Sequence, residues 1–127
     1  MNNLKENAVE AMIEFAARDE GELEAVWVFS PDLDLFRGHF PDRPLVPGIL
    51  ELEMVRAAME RFWPGSHFRI LSVDKAKFVR EIKPGERIRL SAAFSLSSEN
   101  RGLRVKAQLW VEGEKAAQIQ LTMQKDE

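Results

Sequence analysis

The feature that most constrains the fold is the stretch from Gly48 to about Trp63, which is apolar on nearly every side when it is wound as a helix. At 100° per residue, Leu52, Val55 and Met59 share one face. The apolar residues that cover much of the remaining surface are Leu50, Met54, Ala57 and Ala58. A helix without a continuous polar face has to be surrounded by protein. The stretch therefore predicts one central helix that other elements cover.

Alternation of apolar and polar residues dominates the chain after this helix, as in strands with one buried face. We expect a long strand over 68–82 and a second strand over 86–99. The positions predicted to face inward on this second strand and on the two that follow are Ile88, Leu90, Ala92, Phe94, Leu96, Leu103, Val105, Ala107, Leu109, Val111, Ala117, Ile119, Leu121 and Met123. One helix and a meander of long strands predict an antiparallel α+β fold.

The chain before the central helix is less regular. Residues 4–18 predict a short helix followed by an extended segment around 12–17. A strand rich in Val, Trp and Phe is expected over 23–29, and residues 30–45 are expected to be mostly loop. At 127 residues the whole chain, 1–127, is expected to form one domain.

Composition excludes several classes of function. The chain has no cysteine, which excludes disulfides, thiolate catalysis and cysteine metal sites. A net charge of −3 argues against a nucleic-acid-binding protein. The sequence shows neither a secretory signal nor an apolar run of about 20 residues, so we expect a cytoplasmic protein with no membrane span.

The candidate site is a proline-rich loop that runs from Gly38 to Gly48 and leads directly into the central helix. It carries His39, one of two histidines in the chain. Prolines fix φ near −65° and reduce the freedom of the loop, so that a side chain on it can be held in one position. The other histidine, His67, has no such surroundings and is expected to lie at the surface.

The spacing of this loop closely resembles the β-hydroxyacyl-acyl carrier protein dehydratases, which have the hot dog fold. The matching positions are His39, Pro41, Pro44, Pro47, Gly48 and Glu53, and a second matching block covers residues 73–80 and 84–86. Members of that family pair as dimers around a long antiparallel sheet that wraps one central helix. The resemblance implies a homodimer or a larger dimer-based assembly that acts on an acyl carrier protein or coenzyme A thioester, without metal or cofactor.

The resemblance also implies roles for three groups. His39 is the base and Glu53 the acid, and the two come from different copies of the chain, while the backbone N–H of Gly48 binds the thioester carbonyl. Dehydration removes a proton from C2 and protonates the hydroxyl that leaves C3, and neutral imidazole, with an unperturbed pKa near ~6.5, suits the first step. A free amide in the first turn of a helix suits the oxygen on which negative charge develops.

Further residues are candidates for binding. Phe40, Leu52 and Phe78 are expected to line an acyl tunnel, although each could equally belong to the core. Lys75, Lys77 and Arg80 form a basic strip with Lys83, which could dock an acidic carrier protein, contact coenzyme A phosphates or simply be solvated.

Several residues leave alternatives open. Glu53 has the helical spacing of an ion-pair ladder with Arg56 and Glu60, and Arg56 would favour the ionised carboxylate rather than an acid. Asp42, Glu51 and Ala57 stand where the family usually has other residues, and Glu51, about 160° around the helix from Glu53, is expected to face a subunit rim or water. A hot dog thioesterase and a non-catalytic acyl-thioester-binding module are therefore the alternative functions.

Overall fold

The computed structural model describes residues 3–37, 42–96 and 102–126. Along these ranges the helices and strands are α1 (Leu4–Glu10), β1 (Met12–Asp19), β2 (Glu22–Trp27), α2 (Asp34–Arg37), α3 (Gly48–Phe62), β3 (Phe68–Phe78), β4 (Ile88–Leu96), β5 (Gly102–Val111) and β6 (Glu114–Lys125). The strands form one antiparallel six-stranded sheet in the order β1-β2-β4-β5-β6-β3. The α+β class is confirmed.

Helix α3 is the central element and is apolar around most of its circumference, as the sequence predicts. Leu50, Met54, Val55 and Met59 are each fully buried. The helix begins after Pro47, whose carbonyl accepts a hydrogen bond from the Leu50 N–H at 2.9 Å. A long antiparallel sheet around one buried helix is the hot dog arrangement, so this prediction is confirmed as well.

The inner face of the sheet follows the alternation in the sequence. In the β4–β5 pair, Leu90 lies opposite Leu109 and Ala92 opposite Ala107, and all four side chains are buried. Leu96 differs from the prediction because its side chain is 80% exposed. The neighbouring strand β2 pairs with β4 only as far as Ala93, so the end of β4 has no strand beside it on that side.

Helix α1 is tied to the core through a buried tryptophan. Trp27 of β2 is fully buried, and its indole Nε1–H donates a hydrogen bond to the carbonyl of Ala8 at 2.7 Å. A buried indole N–H needs such a partner, so the contact fixes α1 against the sheet.

The predicted end of one strand is wrong. The strand expected over 68–82 ends at Phe78, because the N–H groups of Val79 and Arg80 both donate to the carbonyl of Ala116 and the regular ladder stops there. The residues over 30–45, predicted to be mostly loop, also contain the short helix α2.

None of the helices within the ranges given above combines the length and the apolar composition that a membrane span requires.

Candidate active site

A cavity of about 630 Å³ opens at the N-terminus of α3. Its walls come from α1, α2, the end of the proline-rich loop, the first turn of α3, and the end of β3 with the segment after it. The residues that line it are Leu4, Leu35, Leu45, Val46, Pro47, Gly48, Ile49, Glu51, Phe78, Val79, Arg80 and Glu81. A largely apolar cavity of this size with few polar groups is typical of a small-molecule site.

Two of the predicted binding residues meet in this cavity. Gly48 is the first residue of α3, where a backbone N–H has no partner inside the helix. A Cβ atom added to Gly48 would lie only 2.9 Å from Cζ of Phe78, so the phenyl ring packs directly against the glycine. The structure therefore places the predicted carbonyl-binding amide and a predicted acyl-binding ring side by side.

The end of the proline-rich loop is held against the segment that follows β3. The N–H of Val46 donates to the carbonyl of Ile82 at 2.8 Å, and Arg43 forms an ion pair with Glu81. His39 and Phe40, which precede this part of the loop, lie outside the described residues.

The expectation that Glu51 faces water is wrong, whereas a position at a subunit rim stays a prediction. Glu51 is only 4% exposed, and this residue of the first turn of α3 lines the cavity. Burial raises the pKa of Glu51 from its ordinary value of 4.5 to about 8, since a charged carboxylate is poorly solvated there. The sequence offers one signal for this group, which is an acidic residue in the first turn of a helix that is apolar around most of its circumference.

Glu53 lies on another side of α3 and does not line this cavity. Its carboxylate accepts hydrogen bonds from the Arg56 guanidinium, of which the one to Oε2 is 2.5 Å long, and both side chains are largely buried. The carboxylate of Glu60 has partners other than Arg56. It accepts a hydrogen bond from the N–H of Phe68 at 2.8 Å and lies 3.7 Å from the Lys5 ammonium. The predicted ladder is thus reduced to the Glu53–Arg56 pair.

The remaining predicted residues are dispersed. Leu52 is partly buried against the hydrophobic core and does not line the cavity. Lys75 and Lys77 are exposed on β3, whereas the guanidinium of Arg80 donates to both carboxylate oxygens of Glu86 at 3.1 and 3.2 Å. This hydrogen bonding lowers the pKa of Glu86 and raises that of Arg80. Of the three basic residues, only the two lysines are free of such a bidentate ion pair.

Comparison with known proteins places the chain among dehydratases. A family model described as ApeI dehydratase matches residues 16–120. A 3-hydroxyacyl-[acyl-carrier-protein] dehydratase FabZ from Alkalilimnicola ehrlichii is 36% identical over 96 residues, which cover 68% of this chain and 61% of that protein. FabZ from Pectobacterium atrosepticum is 33% identical over 108 residues, which cover 78% of this chain and 70% of that protein.

Solved structures share the fold. The dehydratase heterocomplex ApeI:P from Xenorhabdus doucetiae has a chain that matches with a TM-score of 0.74 at 23% identity, over 88% of this chain and 95% of that one. The PaaI protein of E. coli matches with a TM-score of 0.69 at 11% identity, over 94% of this chain and 88% of that one. Because the family model spans most of its length, the chain belongs to the ApeI-like dehydratase family.

Proposed function

We propose that the protein converts 3-hydroxyacyl thioesters, carried by an acyl carrier protein, into trans-2-enoyl thioesters and water. The observation that carries this proposal is the cavity in which the first-turn amide of Gly48 meets the ring of Phe78. Family membership and the two FabZ relatives support the same reaction.

In the proposed reaction His39 takes a proton from C2 of the substrate. The electrons of that C–H bond form the C2–C3 double bond while the C3–O bond breaks. Glu53, which is paired with Arg56 in the free protein, would leave that ion pair and take up a proton when substrate binds, and would then give this proton to the leaving hydroxyl to form water. The Gly48 N–H stabilises the charge that develops on the thioester oxygen. Acid–base pairs of this kind contribute about 10²–10⁴-fold to a rate.

The described flanks of the proline-rich loop support a position for His39 beside the cavity. Leu35 lies before the undescribed residues and Leu45 after them, and both line the same cavity. His39 is four residues from Leu35. Four residues span at most about 14 Å, so a position of the imidazole at the cavity is within reach of the chain.

We propose that Glu53 acts in the site of a partner copy. Within one chain it does not line the cavity that contains Gly48. The edge strand β3, which pairs only with β6 in the described sheet, exposes Leu71, Val73 and Phe78. A long exposed edge strand can pair with another chain, and a twofold pairing of β3 with itself would give a homodimer.

Carrier docking is proposed for the two exposed lysines only. Lys75 and Lys77 lie on β3, which leads to Phe78 at the cavity. An acidic carrier would be attracted to this approach, whereas Arg80 is already engaged by Glu86.

The reaction is tested with a 3-hydroxydecanoyl thioester of an acyl carrier protein. We expect an increase in the absorbance of the conjugated enoyl thioester, with no release of free thiol. Thiol release without enoyl product would instead identify a thioesterase, and tight binding without either product would identify a binding module.

The pairing of β3 is tested by charge. We expect the double variant Leu71→Asp/Val73→Asp to be monomeric in sedimentation velocity and to lose dehydratase activity, because like charges would meet at the paired edges. Leu96→Asp is the matched control, since Leu96 is also an exposed apolar residue but lies on β4. A dimer that persists in the double variant would contradict the β3 interface.

A further inference from the structure

Glu51 is a buried carboxyl to which the proposed reaction gives no role. It lies in the first turn of α3, is 4% exposed, and its Oε1 has no hydrogen-bond partner among the described residues. It also forms no ion pair within that part of the chain. Buried polar atoms without a partner are rare in folded proteins, so this one calls for an explanation.

In helical geometry the side chain of Glu51 is expected to lie next to Gly48. Residues three apart on a helix are neighbours, and a helical side chain leans over the turn that precedes it. Glu51 and Gly48 line the same cavity, which is otherwise largely apolar. Both residues therefore border the same cavity at the N-terminal end of α3.

Among the described residues, the other charged groups at this cavity do not neutralise Glu51. Arg80 is held by Glu86, with Glu114 at 3.8 Å, and Glu81 is paired with Arg43. Because burial raises the pKa of Glu51 to about 8, its carboxyl keeps its proton at neutral pH. A carboxylic acid that an apolar site keeps neutral can donate a hydrogen bond to a developing oxyanion.

We propose that Glu51 donates a hydrogen bond from its carboxylic acid to the thioester carbonyl oxygen of the substrate, beside the N–H of Gly48. This inference rests on the proposed function, since the thioester is the substrate proposed above. Two donors would then stabilise the oxygen on which charge builds as C2 loses its proton. The bound carbonyl would also provide the partner that the buried carboxyl lacks.

The test uses S-octanoyl pantetheine labelled with ¹³C at the carbonyl, which has no 3-hydroxyl and does not undergo dehydration. Isotope-edited infrared spectra report the carbonyl stretch, which moves to lower frequency when the oxygen accepts a hydrogen bond. In the wild type we expect a lowered frequency at pH 6.5 that partly returns at pH 9.5, as Glu51 ionises. Glu51→Gln, which keeps a donor, should show a lowered frequency at both pH values, and Glu51→Leu should lose that contribution at both.

Turnover gives the second measurement. For the 3-hydroxydecanoyl thioester we expect Glu51→Leu to lower kcat by about 10²-fold while KM changes much less, and Glu51→Gln to retain more of the rate. Glu60→Gln is the matched control, because Glu60 is a carboxyl on the same helix that does not line the cavity.

The outcomes separate this inference from the proposed function. A carbonyl frequency in Glu51→Leu equal to that of the wild type, or a wild-type frequency that does not change with pH, would overturn the role of Glu51. If the wild type makes no enoyl product, the dehydratase proposal fails, yet the infrared shift still decides whether Glu51 binds the thioester. If Glu51→Leu does not fold, the carbonyl frequencies of the wild type and of Glu51→Gln at the two pH values still show whether Glu51 donates to the thioester carbonyl.

Discussion

Replacing His39 by alanine is expected to lower kcat for dehydration by about 10²–10⁴-fold, because the variant has no base for the proton at C2. Binding of S-octanoyl pantetheine should change little, since the apolar walls of the cavity and the Gly48 amide remain. His67→Ala is the matched control, as this second histidine is exposed and its Nδ1 lies 4.0 Å from Glu60, away from the cavity. We expect His67→Ala to keep the wild-type rate.

The His39 variant is measured by enoyl absorbance and by binding to the octanoyl thioester in parallel. A rate in His39→Ala within a few-fold of the wild type would contradict the mechanism. If His39→Ala loses both thioester binding and catalytic rate, His39 maintains the structure of the loop rather than acting as the base.

Replacing Glu53 by glutamine is expected to lower both activity and stability. Activity should fall by about 10²-fold, because an amide N–H is far too weak an acid to protonate the leaving hydroxyl. The free energy of unfolding should fall by about 2–3 kcal/mol, since Arg56 would be left largely buried without its anion. Urea denaturation and the enoyl assay measure the two effects separately.

A second variant separates the two roles of Glu53. In Glu53→Leu/Arg56→Leu both charges are gone, and replacing a buried ion pair by apolar residues is often neutral or stabilising. We therefore expect this double variant to recover the wild-type stability within about 1 kcal/mol while remaining inactive. Recovery of activity along with stability would show that Glu53 is only a structural partner of Arg56.

The fold follows closely from local patterns in the sequence. The apolar stretch that begins at Gly48 forms the central helix, and the alternation of Leu103, Val105 and Ala107 gives the buried face of β5. These predictions hold because periodicity reports which side of an element is buried. Periodicity does not predict where an element ends. Strand β3 ends at Phe78 because the N–H groups of Val79 and Arg80 both donate to the carbonyl of Ala116, which is distant in sequence.

The site was only partly predictable for the same reason. The resemblance implies a role for Gly48, and the sequence makes Phe78 a candidate for the acyl tunnel; the two residues meet in the cavity. The burial of Glu51 was not expected, because the helical angle between Glu51 and Glu53 says nothing of what covers either one. Leu35 and Phe78, which help to enclose the cavity, are distant in sequence from Glu51.

The imidazole and the carboxyl of one site are proposed to come from two copies of the chain, and this arrangement is tested by mixing two inactive variants. His39→Ala and Glu53→Ala are unfolded together in equal amounts and refolded. A mixed dimer then has one site with both residues intact, so about one quarter of the wild-type activity should return when the chains pair at random. Activity that stays at the level of the separate variants, in a sample shown to contain mixed dimers, would contradict the claim.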